Sequence, residues 1–91
     1  MCTYATVKIP LEGSAKGPAG PESKWFRLTD GTVYFDHPVH AMAEHTLNID
    51  FADPSKGPGA RVAVELTAAS AQALVEAIEA ALASAPEALR V

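Results

Sequence analysis

Apolar and polar residues alternate along much of this chain. Over positions 3 to 9, Ala5, Val7 and Ile9 alternate with Tyr4, Thr6 and Lys8, the period of a strand with one buried face. Pro10 is expected to end that strand. Residues 10–24 carry Gly13, Gly17, Pro18, Gly20 and Pro21, which predicts a flexible Gly/Pro-rich loop. A second strand is expected from Lys24 to Leu28. Thr29-Asp30-Gly31-Thr32 then carries a turn signal, because Asp bonds its own backbone and Gly accepts positive φ, so a hairpin is predicted to join Trp25–Leu28 to Thr32–Asp36.

His37-Pro38 closes that segment, since Pro lacks a ladder donor. Residues 39 to 45 fit either a helical turn or a shaped connection. Leu47, Ile49 and Phe51 alternate with Thr46, Asn48 and Asp50, and Val62, Val64 and Leu66 with Ala63 and Glu65. These are two further strands, joined by a turn-rich loop over 52–59. Thr67 is placed to cap a helix from Ala68 to Ser84, whose Leu74, Val75, Ile78 and Leu82 recur at spacings of three and four. Pro86 stops it. The prediction is an α+β domain spanning 1–91: a small antiparallel sheet of four to five strands with one C-terminal amphipathic helix packed on one face.

Composition narrows the function. The chain has 91 residues, 48% of them hydrophobic, and a formal net charge of −4 from seven basic and eleven acidic side chains. No cluster of Lys or Arg offers a footprint for a phosphate backbone, so nucleic acid is not an expected partner. No apolar run is long enough to span a bilayer, so no membrane partner is expected. The start, Met1-Cys2-Thr3-Tyr4, lacks a basic segment followed by an apolar run, and one Cys cannot form an internal disulfide. A cytoplasmic location is expected. About sixteen large apolar side chains form a thin core for one domain. The second sheet face, with Tyr4, Thr6, Tyr34, Asp36, Asn48 and Asp50, is a subunit interface or a pocket wall, and a homodimer is the expected way to cover it.

All three histidines lie within nine residues, in Asp36-His37-Pro38-Val39-His40-Ala41-Met42-Ala43-Glu44-His45. Imidazole binds zinc, iron, copper and nickel, and a turn between antiparallel strands can converge three or four ligands. His37, His40 and His45, with Glu44 or Cys2, are therefore the candidate ligands of a transition metal ion, and Asp36 can orient an imidazole behind them. The alternative is that these rings are exposed or bonded to neighbouring carbonyls. The spacing of His40 and Glu44 is similar to part of the cupin metal signature, but His37 sits one residue too far away and the glycines of that motif are missing.

Cys2, once Met1 is removed, would pair a thiol with an α-amine, which is a chelate or a nucleophile with its own base; alternatively it is a small apolar residue opening the first strand. The glycines of 13–20 lack the Gly-Lys-Ser/Thr ending of a phosphate loop and fit a surface loop or lid. Asp36, Glu44, Asp50 and Asp53 could serve a histidine as a general base or supply a metal oxygen.

The opening Met-Cys-Thr-Tyr-Ala-Thr-Val-Lys-Ile-Pro-Leu-Glu-Gly-Ser-Ala-Lys-Gly, with Tyr34-Phe-Asp-His-Pro-Val-His-Ala and Ala43-Glu-His-Thr-Leu-Asn-Ile-Asp-Phe51, resembles a family of small actinobacterial proteins of unknown function. The resemblance covers nearly the whole chain and implies a bacterial, cytoplasmic setting without an activity. Three functions remain open at this point: a His-cluster site for a transition metal or polar small molecule, which could make a metal-dependent enzyme; a metal-free accessory or ligand-binding module acting through its sheet face; and a metal-free His/carboxylate acid-base enzyme.

Overall fold

The computed structural model describes residues 4–17, 24–40, 42–57 and 59–90. Four strands form one antiparallel meander in the order β1 (Thr6–Lys16), β2 (Trp25–Asp36), β3 (Thr46–Ala52) and β4 (Arg61–Leu66). Helix α1 (Ala68–Ser84) follows and packs on β3 and β4. The fold is α+β, as the alternating and helical periods predict.

β3, β4 and α1 keep the bounds expected from those periods to within a residue. The Thr67 Oγ1 accepts the Ser70 backbone N–H at 3.1 Å, satisfying one of the donors orphaned in the first turn of α1. Between β3 and β4 the chain makes a short 3-10 turn over Pro54–Lys56, capped by Asp53, whose Oδ1 accepts from the Ser55 backbone N–H and hydroxyl. Gly57 leaves that turn with φ of 85°, a conformation that a side chain would strain. The two bonds from Ser55 hold the Asp53 carboxyl below the usual carboxylate range.

Two expectations are corrected. The Asp30-Gly31 turn is not formed: β2 runs unbroken from Trp25 to Asp36, which gives the sheet four strands, the lower of the two numbers expected. Asp30 faces Ala52 and Gly31 faces Phe51 in regular register with β3. Gly31 is buried, and its missing side chain serves close packing instead of a turn, because a Cβ there would come within 2.7 Å of the Leu11 Cδ1 and 3.2 Å of the Ile9 Cγ1. Nor does β1 end at Pro10. It continues to Lys16, with a shift of register between Pro10 and Gly13 that adds one residue on the β1 side. β1 is the edge of the sheet, where a strand needs donors only toward its single neighbour, so Pro10 is accommodated. The loop expected over 10–24 therefore gives up residues 10–16 to the strand; residues 18–23 lie outside the described residues.

The register sorts the side chains onto two faces. Val33, Phe35, Leu47, Ile49 and Leu66 face α1. The opposite face carries the cross-strand row Thr6, Tyr34, Asn48 and Glu65, and beside it Lys8, Thr32, Asp50 and Ala63. Burial is sparse: among the described residues, Ala60 is the buried apolar side chain, and Thr46, Asn48 and Asp53 are buried polar ones. Thr46 donates its hydroxyl to the Asn48 Oδ1 at 2.7 Å, which removes the cost of burying both.

Candidate functional site

The nine-residue histidine segment does not build one centre. His37 and His45 form a ring pair with centroids 4.4 Å apart, and His45 stacks on Phe35 at 5.7 Å. Tyr4 meets Phe35 and His45 edge-on, at 5.6 and 6.2 Å, instead of joining the polar face. Phe35 belongs to the face that α1 covers, so this aromatic cluster caps that side of the sheet. The Nδ1 of His37 lies 3.1 Å from the Glu44 carbonyl oxygen. A carbonyl only accepts, so the neutral ring carries its proton on Nδ1 and leaves Nε2 as the acceptor.

His40 is elsewhere. The 37–45 connection has no helical turn among its described residues, and its Val39 and His40 lie over the polar face, pinned by Glu65. One Glu65 carboxylate oxygen accepts the backbone N–H of Val39, and the other that of His40 at 3.0 Å. This delivers His40 to an open cleft of about 600 Å³ whose polar groups come from Tyr34, Asn48, Asp50, Arg61 and Glu65, with Val39, Ala63 and Val64 as its apolar part. The expected convergence of His37, His40 and His45 is thus replaced by a pair and a separate third ring. Among the described residues, no group of three or more His, Cys, Asp or Glu is placed to hold a metal ion. Glu44 contributes its backbone carbonyl to His37. Cys2 lies outside the described residues.

At the cleft's centre, Asp50 joins two neighbours. Its Oδ1 accepts from the Arg61 guanidinium at 2.7 Å, and the Tyr34 hydroxyl points at its Oδ2 from 3.5 Å, the outer limit of a hydrogen bond. Asp50 faces Ala63 across the sheet, two positions from the Ala52–Arg61 pair and so on the same face, which is why the guanidinium reaches it. Burial, and then the negative charge of Asp50, push the Tyr34 phenol above its ordinary value. It stays a neutral donor at neutral pH. The folded state holds this proton more tightly than the unfolded chain, so the associated stability is fully present below the ordinary phenol value of about 10 and is lost as pH rises from there through the folded value. We expect absorbance titration at 295 nm to place one phenol above that value in the native protein, and the Tyr34→Phe variant to lose that late step.

Arg61 and Glu65 were not singled out as site residues by the sequence. Their signal was present, since Val62, Val64 and Leu66 alternate with Arg61, Ala63 and Glu65 and so place the latter on the face of Asn48 and Asp50.

Fold and cleft together define a small α+β protein: a four-strand antiparallel meander with a helix on its apolar face and a polar cleft on the other. The chain belongs to DUF6295, a family of unknown function that matches residues 1–91. Comparison with curated proteins and with solved structures finds no match. Among the described residues, no helix is long and apolar enough to cross a membrane.

Proposed function

We propose that this protein is a metal-free ligand-binding module that takes a polar small molecule in the cleft on its open sheet face. The observation that carries this reading is the Tyr34, Asp50 and Arg61 constellation, set in a cleft with the Asn48 amide and the His40 segment around it. A concave site with a few convergent polar groups is the usual form of a small-molecule site. Two carboxylates against one guanidinium leave its lining net negative when His40 is neutral. Coulomb attraction and repulsion then favour neutral or cationic ligands with hydroxyl or amine groups over anions. We place the module in the cytoplasm of a bacterium of actinobacterial type, a setting consistent with its acidic composition and single Cys.

The separation of His40 from the His37 and His45 pair favours this reading over a metal centre or metal-dependent enzyme. The His37 ring bonds a backbone carbonyl, which speaks against that residue as the base of a His/carboxylate enzyme. The test is a thermal-shift panel of polyols, amines and carboxylates on protein purified without a His tag, with elemental analysis of the same sample for zinc, iron, copper and nickel. We expect stabilisation by a hydroxyl- or amine-bearing compound and metal well below one ion per chain. A stoichiometric metal that is lost in the His37→Ala and His45→Ala variants would overturn the reading.

A further inference from the structure

The cleft occupies one face of the sheet; the other is apolar and largely bare. A helix is about 10 Å across and strands lie about 4.8 Å apart, so one helix covers about two strands. α1 packs on β3 and β4. That leaves β1 and the adjoining edge of β2 uncovered on the same side, where Val7 is 51% and Ile9 42% exposed, while Tyr4 and His45 pack on Phe35 at one end. The helix is bare as well, with Val75, Ile78 and Leu82 at 48%, 52% and 53% exposure. Between helix and sheet runs an open groove of about 400 Å³, floored by Val33, Phe35, Leu47 and Ile49.

The areas say how much is missing. The chain exposes 7027 Å², whereas a folded monomer of its 9.5 kDa exposes about 5,000 Å². The excess of about 2,000 Å² matches what each chain of an obligate homodimer buries. The radius of gyration, 14.8 Å, likewise exceeds the about 12 Å of a compact domain of this length.

We propose that a second copy of this chain covers the apolar face, with α1 of each copy seated on the β1–β2 strip of the other. Reciprocity selects the occupant. One chain carries both an uncovered apolar helix stripe and a strip of apolar sheet wide enough for one more helix, so a single two-fold axis satisfies both. The interface is therefore opposite the face of Tyr34, Asn48 and Asp50, and both clefts stay open to solvent. This inference does not depend on the ligand reading.

Light scattering at micromolar concentration tests it first: we expect twice the chain mass of 9.5 kDa for the wild type, falling to the single-chain mass in Ile78→Asp. Because a charge at position 78 can also unfold the chain, cross-linking supplies an independent measurement. In a Cys2→Ser background, Ile9→Cys and Ile78→Cys chains are mixed and treated with a short bismaleimide. We expect a product joining position 9 of one chain to position 78 of the other, and no such product when Lys8→Cys, on the polar face, replaces Ile9→Cys. A wild type of single-chain mass, or cross-linking through position 8 as efficient as through position 9, would overturn the proposal.

Discussion

The Gly31→Val variant melts lower than the wild type by on the order of 10 °C at equal protein concentration, as followed by circular dichroism. The cause is volume. Gly31 is buried in β2, where an added Cβ meets the Leu11 Cδ1 at 2.7 Å and the Ile9 Cγ1 at 3.2 Å. Alanine is tolerated because the terminal methyl of Leu11 can swing aside. Valine adds two further methyls, and both neighbours must then yield at once, which in a packed region costs about 1–3 kcal/mol. The loss of glycine's chain entropy in the unfolded state and the strand preference of valine offset less than about 1 kcal/mol of this. For a domain of this size each kcal/mol moves the midpoint by about 4–8 °C. A Gly31→Val protein that melts with the wild type would place Gly31 at a turn, where space is available, rather than under Leu11.

The second large effect is on binding. Arg61→Ala removes the guanidinium that holds Asp50 at 2.7 Å and supplies the cleft with fork-shaped donors. The Arg61 side chain is 54% exposed and that of Asp50 22%, so solvent screens the pair and the folding free energy changes by less than about 1 kcal/mol. Binding responds more strongly, because Asp50 is left without its cation at the centre of the cleft. We expect calorimetry with the strongest neutral, hydroxyl-bearing compound of the panel, which uses the guanidinium donors and gains nothing from the added negative charge, to show at least about a tenfold weaker Kd, equivalent to about 1.4 kcal/mol. His37→Ala, on the other side of the sheet, leaves that Kd unchanged. If Arg61→Ala binds as the wild type does, the cleft is not the ligand site.

Much of the fold was legible in the sequence because alternation and helical spacing are local. The period of two over Thr46–Phe51 and Arg61–Leu66, and the Thr67 cap before Leu74, Val75, Ile78 and Leu82, each specify their element without reference to the rest of the chain. Asp30-Gly31 misled because a turn and a close side-chain approach both ask for glycine, and only the position of Leu11 distinguishes them. Pro10 misled because its missing donor matters in a central strand and not at the edge, and strand order is a tertiary property.

The candidate site was half legible. Alternation had put Tyr34, Asn48 and Asp50 on one face, and they do line the cleft. The histidines were read as one group because they are near in sequence, yet His45 stacks on Phe35 on the apolar side while the connection carries His40 around to the other. The pin that turns it, Glu65 bonded to the backbone of Val39 and His40, spans about twenty-five residues and leaves no trace in local pattern.

The proposed ligand site lies on the polar face, away from the paired histidines. Amide chemical-shift mapping on isotope-labelled protein, during titration with the strongest compound of the panel, tests it most directly. Saturable shifts are expected at His40, Asn48, Asp50, Arg61 and Glu65, with His37 and His45 unmoved. Shifts confined to His37, His45 and Glu44 would contradict it.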